Sequence, residues 1–291
     1  MSGGESTSEA VFQHPHADVL GVGLSALNMD RALNLAERWI ASNSIATSKS
    51  AYICMTGVHG VMEAQSDAHL RSILNQAFIN APDGMPMSWV GWLQGHKQMD
   101  RVYGPDFMAN LCQLSVRKGY RHYLYGGQPG VAQALKIALQ TRFPGLQVAG
   151  TYTPPFRSLT PNEEADLLHD VQNAKPDILW VGLSTPKQEC FMAEYVDRLH
   201  VPLLVGVGAA FDFHTGRIDD APAWIKRVGL QWLHRLLQDP GRLWKRYLRN
   251  NPVFVWRIML QLFKLRSYEH QSVYVAQPPV RQTRDNSSTY M

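Results

Sequence analysis

The sequence predicts an α/β fold in which a mostly parallel sheet carries helices on both faces. The 291 residues are 45% hydrophobic and 18% charged, a composition typical of a globular chain with a full core. Short apolar runs alternate with longer segments in which apolar residues recur at helical spacing. Strands that alternate with helices are joined by crossover connections, and these place the strands parallel in one sheet.

Each predicted element follows from its own pattern. Five short apolar runs are predicted strands, at residues 51–56, 121–126, 147–150, 178–183 and 203–207. Seven segments with a 3.6-residue apolar repeat are predicted helices, at residues 30–43, 66–79, 106–118, 130–142, 161–173, 187–198 and 222–237. The clearest helix start is Thr160, a capping residue that precedes Pro161 and an acidic first turn.

The two ends of the chain differ from this core in composition. Residues 1–18 are predicted to be disordered, and they lack the basic and apolar regions of a signal peptide. Residues 19–238 form the predicted α/β domain, residues 239–270 a basic amphipathic helical appendage, and residues 271–291 a disordered tail. No run of eighteen apolar residues occurs, so no membrane-spanning helix is predicted. The three cysteines lie far apart in apolar runs, which is typical of reduced core residues in a cytosolic protein.

Positive charge is concentrated near the C-terminus. Residues 226–266 hold ten Lys or Arg against one acid, although the net charge of the whole chain is only +4. A basic segment on an acidic body predicts a polyanionic partner, which is a membrane surface, a diphosphate or a nucleic acid. Residues 243–249 and 253–263 mix basic, aromatic and aliphatic residues around a predicted break at Pro252. They fit a helix lying in a membrane interface, or a helix pair that packs on the domain or on another subunit.

The stretch from Asn80 to Ser88 is the predicted centre of a site. Asp83 stands there between Pro82, which fixes its own φ, and Gly84, which allows a tight turn close to a ligand. A carboxylate on such a turn can be aimed at a substrate, and it can equally belong to a plain Asp-Gly turn. The residues alone leave both interpretations open.

The ends of four predicted strands carry further candidate ligand residues, because ligands of parallel sheets bind beyond the carboxyl ends of the strands. These candidates are Thr56, Gly126, Gly127, Lys187, Gln188 and Asp212. A tight turn, a solvated helix start and close helix–sheet packing are their structural alternatives. The glycine pair matches neither Gly-x-Gly-x-x-Gly nor the Walker pattern, so it predicts a nucleotide or diphosphate ligand at most. His59 is placed outside the site.

Several function classes are disfavoured. The sequence contains no Asp-x-Asp pair and no His, Cys or Asp cluster at metal spacing, so it predicts no metal and no cofactor. No second carboxylate pairs with Asp83 as a glycosidase requires. A non-catalytic nucleotide-binding module stays open. A nucleic-acid-binding protein is the other rival, but the basic segment is too apolar for a phosphate-tracking arm and no nucleic-acid partner is predicted.

An ordered set of motifs runs from about residue 50 to residue 250. In chain order they are Ala81-Pro82-Asp83-Gly84, Arg101-Val102-Tyr103-Gly104, Tyr123-Leu124-Tyr125-Gly126-Gly127, Pro176-Asp177-Ile178-Leu179-Trp180-Val181-Gly182, Pro186-Lys187-Gln188-Glu189, Gly206-Val207-Gly208, Ala221-Pro222-Ala223-Trp224 and Trp232-Leu233-His234-Arg235. Each motif is weak by itself. In this order and spacing, the chain resembles the bacterial WecG/TagA/CpsF glycosyltransferase family.

The resemblance implies a Rossmann-like domain that moves a sugar from a UDP-sugar to a polyprenyl-diphosphate-linked sugar, with inversion and without a metal. It implies that Asp83 is the general base. The residues then expected at the donor are Thr56, Gly84, Gly126, Gly127, Lys187, Gln188 and Asp212. The residues expected at the diphosphate and acceptor are Arg235, Arg242 and Arg246.

Two further expectations follow from the resemblance. Many relatives carry Asn where this chain has Val58, so the donor is expected to be either a UDP-N-acetylmannosamine type of sugar or UDP-glucose. With a lipid-linked acceptor, the basic segment is expected to attach peripherally to anionic lipid on the cytoplasmic face of the bacterial plasma membrane. The pathway is then one of surface polysaccharide or exopolysaccharide synthesis, and a homo-oligomer stays open.

Overall fold

The computed structural model describes residues 12–43 and 49–268. Its strands are β1 (His16–Val19), β2 (Val22–Ser25), β3 (Ala51–Thr56), β4 (Ile79–Pro82), β5 (Arg121–Gly126), β6 (Gln147–Tyr152), β7 (Ile178–Gly182) and β8 (Leu203–Gly206). Six of them form one sheet in the order β4-β3-β8-β7-β5-β6, and every neighbouring pair in it is parallel. β1 and β2 form a separate antiparallel hairpin.

Helices connect the strands and cover both faces of the sheet. They are α1 (Met29–Asn43), α2 (Val58–Glu63), α3 (Ala68–Asn75), α4 (Met85–Leu93), α5 (Gly104–Lys118), α6 (Val131–Arg142), α7 (Pro161–Ala174), α8 (Lys187–Tyr195), α9 (Ala210–His214), α10 (Ala223–Arg227), α11 (Gln231–Gln238) and α12 (Pro240–Leu262). The predicted α/β class, with its mostly parallel sheet and helices on both faces, is confirmed.

The core consists of two buried apolar clusters, one on each face of the sheet. On β7, Ile178 and Trp180 join the cluster beneath α1, α5 and α6, whereas Leu179 and Val181 join the cluster beneath α3, α7 and α8. This alternation is the expected period of two along a strand. Because both faces are covered, the strands read in sequence as continuous apolar runs, and five of them were predictable for that reason.

The N-terminal prediction is wrong for residues 12–18. Phe12 is buried and packs edge-on against the Trp39 ring at 5.5 Å, and β1 begins at His16. The hairpin buries alternate apolar side chains on the domain, and these stabilise it despite the polar residues that precede it. Residues 1–11 and the predicted tail at 271–291 lie outside the described residues.

Three element boundaries also differ from the prediction. The predicted helix at 66–79 ends at Asn75, and β4 begins at Ile79. The predicted helix at 222–237 is two helices separated near Gly229, which has φ +73°. α12 runs through Pro252, where a break was predicted. The carbonyl that loses its partner there belongs to Leu248, a residue on the exposed side of the helix.

The C-terminal helix α12 packs along one face on the domain. Phe254 and Ile258 are buried in the same cluster as α8. The side chain of Gln261 accepts from the Leu20 amide at 3.0 Å and donates to the Asp18 carbonyl at 3.0 Å, which ties the helix to the β1–β2 hairpin. The other face of α12 exposes Trp256 and further apolar side chains to solvent. The predicted appendage is therefore a helix with one docked face and one open face.

Candidate active site

The carboxyl edge of the sheet opens into one large cavity of about 1610 Å³. The loops that follow β3, β4, β5, β7 and β8 all contribute to its walls. Nine of the residues predicted from sequence line it, namely Thr56, Asp83, Gly84, Gly127, Lys187, Gln188, Asp212, Arg235 and Arg246. Gly126 lies next to the cavity without lining it. Arg242 lies in α12, and its side chain is outside the part that the structure describes.

Asp83 is held by a turn between β4 and α4. Its amide donates to the Thr56 carbonyl at 3.0 Å, and Gly84 then takes φ +110° to start the helix. A side chain at Gly57 would come within 2.7 Å of the Asp83 carbonyl oxygen, so the two strand-end loops must touch through backbone. The result is a carboxylate fixed on the cavity wall.

Burial raises the pKa of Asp83 to about 6, and the positive charges of Arg101 and Arg235 act against this rise. Asp106 adds a smaller negative contribution in the other direction. The carboxylate is therefore mostly ionised at neutral pH and accepts a proton more readily than an ordinary aspartate. Such a group is suited to general-base chemistry near neutral pH.

Arg101 is a residue of this site that the sequence prediction did not include. Its guanidinium donates to Gln231 of α11 at 3.0 Å, pairs with Asp106 at 3.4 Å and lies over the Tyr103 ring at 4.7 Å. It thereby joins the domain to α11, the helix that carries Arg235. The signal was present in the Arg101-Val102-Tyr103-Gly104 motif, which marked the position without giving it a role.

A second set of contacts, which we call the Asp220 clamp, holds α10 close to the site. The Tyr103 hydroxyl donates to Asp220 at 3.2 Å, and Lys226 pairs with the same carboxylate. Burial and the Asp220 charge both raise the pKa of Tyr103, so its hydroxyl keeps its proton. The Asp220 clamp and Arg101 together fix the segment that brings Arg235 toward Asp83.

Four buried polar atoms in the cavity wall have no hydrogen-bond partner among the described residues, and one of them is Nε of Arg246. The other three are close to the sheet edge. They belong to Thr56, Gln188 and Glu189. Glu189 accepts from the Gln188 amide at 2.9 Å and from the Thr185 hydroxyl at 3.0 Å, which orients the Gln188 carboxamide. Buried polar atoms without partners are uncommon in proteins, and here they line a cavity, so they indicate the place of a polar ligand.

Glu189 is a second wall residue that the prediction did not include. The sequence placed it in a helix start, where the macrodipole accounts for an acid. The structure buries it, and burial raises the pKa of its carboxyl group. The burial of Glu189 results from the packing of α8 against the sheet, which the local sequence does not reveal.

The glycine pair after β5 has a structural role at its first position. A side chain at Gly126 would come within 2.6 Å of the Gly182 carbonyl oxygen, and the Gly127 amide donates to that same oxygen at 2.9 Å. The pair therefore lets the ends of β5 and β7 touch. Gly127 alone reaches the cavity.

His59 lines the cavity, whereas the sequence analysis placed it outside the site. Its ring lies 3.3 Å from the Asn250 amide nitrogen of α12 and 3.5 Å from Glu63. Burial and the charge of Arg246 lower the pKa of His59 to about 4. His59 is thus a neutral contact between the domain and α12.

Residues 12–43 and 49–268 bear on two further expectations, a metal site and a membrane-spanning helix. No group of three His, Cys, Asp or Glu in this range is placed to hold a metal ion. No helix in it is both long enough and apolar enough to cross a membrane.

The sequence also matches known proteins. Residues 17–268 match the model of the Glycosyl transferase WecG/TagA/CpsF family. The fold, the cavity at the carboxyl edge and this match define the protein as a glycosyltransferase. The chain belongs to the WecG/TagA/CpsF family, and the resemblance inferred from its motifs is confirmed.

Two curated relatives are similar over most of the domain. An N-acetylglucosaminyldiphosphoundecaprenol N-acetyl-beta-D-mannosaminyltransferase from Bacillus spizizenii is 28% identical over 201 residues, which is 69% of this chain and 76% of the relative. A protein of the same name from Bacillus subtilis is 27% identical over 185 residues, or 64% of this chain and 70% of the relative.

Proposed function

We propose that the protein transfers a sugar from a UDP-sugar to a polyprenyl-diphosphate-linked sugar, with inversion and without a metal. The observation that carries this proposal is Asp83, an ionised carboxylate with a raised pKa on the wall of a cavity that also contains arginines. The names of the two curated relatives supply the class of acceptor, a sugar on diphosphoundecaprenol. We place the reaction in surface polysaccharide or exopolysaccharide synthesis.

In the proposed reaction, an acceptor hydroxyl oxygen attacks the anomeric carbon from the face opposite UDP. The new C–O bond forms as the bond from that carbon to the UDP oxygen breaks, and the hydroxyl proton moves to Asp83. A positioned base contributes roughly 10²–10⁴-fold in rate. The departing diphosphate gains negative charge, and Arg235 and Arg246 are the cations in the wall that would stabilise it.

The donor sugar is proposed to lie against three of the polar atoms that lack partners. The Thr56 hydroxyl, the Gln188 carboxamide oxygen and the Glu189 carboxylate can bind its hydroxyl or amide groups. Lys187, Gly127 and Asp212 line the same cavity and complete the proposed donor site. The side chain of Val58 cannot form the hydrogen bond that Asn could form at this position in many relatives. The donor is therefore either a UDP-N-acetylmannosamine type of sugar or UDP-glucose.

The open face of α12 supports the proposed attachment to the membrane surface. On this face Trp256 is 59% exposed, and Phe263, directly after the helix, is 73% exposed. Basic residues are interspersed among them. Such a face binds the headgroup region by burying apolar side chains while its cations attract anionic lipid. We propose attachment on the cytoplasmic side, where UDP-sugars are available.

The test is a transfer assay with a panel of UDP-sugars and short-chain polyprenyl-diphosphate sugars in detergent, with and without EDTA. Asp83→Asn is compared with Asp197→Asn, which removes an exposed carboxylate of the 196–200 loop. We expect turnover with one donor that resists EDTA, is lost by at least about 10²-fold in Asp83→Asn and is unchanged in Asp197→Asn.

Other outcomes would overturn parts of the proposal. A requirement for a divalent ion would contradict the stabilisation of UDP by arginine. UDP binding that survives in Asp83→Asn, with no turnover in the parent protein for any donor and acceptor, would instead support a non-catalytic nucleotide-binding module.

A further inference from the structure

The cavity is larger than a nucleotide sugar needs. Pockets for small molecules ordinarily measure about 300–1,000 Å³, and this one measures about 1610 Å³. Its walls also change in character from one end to the other. The polar end contains Asp83, Gln188 and the unpaired atoms of the proposed donor site. The remaining volume has room for a second group that takes part in the same reaction.

The other end is mainly apolar, although Glu164 and Glu194 also line the cavity beside Tyr195, and we name its apolar part the apolar arm. It is lined by Leu159, Phe191, Tyr195, Phe254, Ile258 and Leu262. These side chains belong to one packed cluster, in which Phe191 and Tyr195 stack at 4.6 Å. The arm therefore lies between α8, the loop before α7 and the docked face of α12. Its walls suit a hydrocarbon chain rather than a sugar or a phosphate.

The docked face of α12 changes chemically along its length. Residues four apart lie on one face of a helix, and the cavity-lining series on this face is Arg246, Asn250, Phe254, Ile258 and Leu262. It runs from a cation through an amide to three apolar side chains. At 1.5 Å per residue the series spans about 24 Å. A charged head attached to a long apolar chain has the same order of groups.

The cationic end of this series faces the polar part of the cavity. The charge of Arg246 acts on His59, in the loop after β3, and Thr56 at the end of that strand belongs to the proposed donor site. The Nε atom of Arg246 is buried and has no hydrogen-bond partner among the described residues. A guanidinium with a free donor at this junction is suited to a phosphate oxygen.

We propose that the prenyl chain of the lipid-linked acceptor lies in the apolar arm, with its diphosphate beside Arg246. This inference rests on the proposed function. The first isoprene units then leave the bilayer and pack between α8 and α12, and the acceptor sugar is directed toward Asp83. The protein thus recognises the lipid itself as well as the sugar and the diphosphate.

The first test compares acceptors that share sugar and diphosphate but carry a methyl, a geranyl or an undecaprenyl chain, all in detergent micelles. Met259→Glu and Leu262→Glu place a charge in the cavity wall along α12, next to Ile258 of the arm. Ile137→Glu makes the same change at an exposed apolar side chain of α6 that does not line the cavity. We expect kcat/KM to rise about tenfold or more from methyl to geranyl in the parent and control proteins, and this gain to disappear in the arm variants. Equal kcat/KM for all chains would overturn the proposal.

The second test does not depend on turnover. A geranyl diphosphate with a photoreactive group on its terminal isoprene is crosslinked to the full-length protein, and the labelled peptides are identified by mass spectrometry. Labelling of Phe254, Ile258 or Leu262 and of α8 supports the arm, whereas labelling confined to Trp256 and Phe263 contradicts it.

The two tests also separate this inference from the proposed function. Labelling of the arm without sugar transfer from any donor would support the binding of the prenyl chain in the arm and contradict the proposed transfer reaction. Transfer that does not depend on chain length, together with labelling outside the arm, would support the transfer reaction and contradict the binding of the prenyl chain in the arm.

Discussion

Asp83 has the most distinctive electrostatic setting among the residues of the site. Its pKa of about 6 reflects burial opposed by two arginines. A general base must be ionised, so the rate depends on the deprotonated fraction of this carboxyl group. Below its pKa that fraction falls tenfold for each pH unit.

We therefore expect kcat/KM to fall on the acid side with an apparent pKa near 6. Initial rates from pH 4.5 to 8.5, with donor and acceptor both well below their KM, measure this directly. A rate that stays constant down to pH 5 would show that Asp83 is not the base, or that it is not buried in the free enzyme.

The same group affects stability in the opposite sense. The folded pKa of Asp83 lies above its ordinary value, so this carboxyl group favours the folded state most below pH 4 and loses that contribution as pH rises through about 6. Asp83→Asn removes the ionisation cost. Its free energy of unfolding at pH 7.5 should exceed that of the parent by on the order of 1 kcal/mol, and the two values should converge near pH 4. A variant less stable than the parent at pH 7.5 would contradict the burial of an ionised Asp83.

At the level of elements, the short connection between α10 and α11 decides where Arg235 lies. Gly229 has φ +73°, and a side chain there would come within 2.7 Å of the Trp89 ring of α4. Gly216 has a similar φ of +70° with nothing within 4 Å. An added side chain would therefore strain the backbone at both glycines, but only at Gly229 would it also collide with another residue.

Gly229→Ala should consequently reduce activity more than Gly216→Ala does. Both variants lose roughly 1–2 kcal/mol of stability from the left-handed backbone. Only the first displaces α11 and its arginine, so we expect its kcat to fall roughly tenfold further. Thermal unfolding and steady-state kinetics of the pair provide the comparison, and equal kcat values would show that the connection does not position Arg235.

On the scale of the whole molecule, apolar and basic side chains are concentrated on one side, around α12. We expect the protein to bind vesicles that contain anionic lipid, and to release them as salt is raised. Trp256→Ser together with Phe263→Ser should weaken this binding about tenfold or more. Ile137→Ser is the matched control, since Ile137 is also 59% exposed but lies on α6. Vesicle sedimentation measures the effect, and equal loss in the control would contradict a docking face on α12.

Local sequence patterns were enough for much of this architecture. The two-sided burial of a parallel sheet makes its strands continuous apolar runs, so β3, β5 and β7 could be predicted within one residue of their bounds. The turn around Asp83 was also recognisable, because a proline and a glycine on either side restrict the backbone there. These features depend on neighbours along the chain.

Other features depend on contacts between distant parts of the chain, and the sequence alone did not decide them. The hairpin at residues 16–25 is ordered because it packs on the domain and is tied to Gln261. α12 continues through Pro252 because buried Phe254 and Ile258 hold the helix in place on the domain. Arg101, Glu189 and His59 join the site only when the helices that carry them meet at the carboxyl edge of the sheet. Propensity acts over a few residues, whereas burial and charge pairing are set by the tertiary structure.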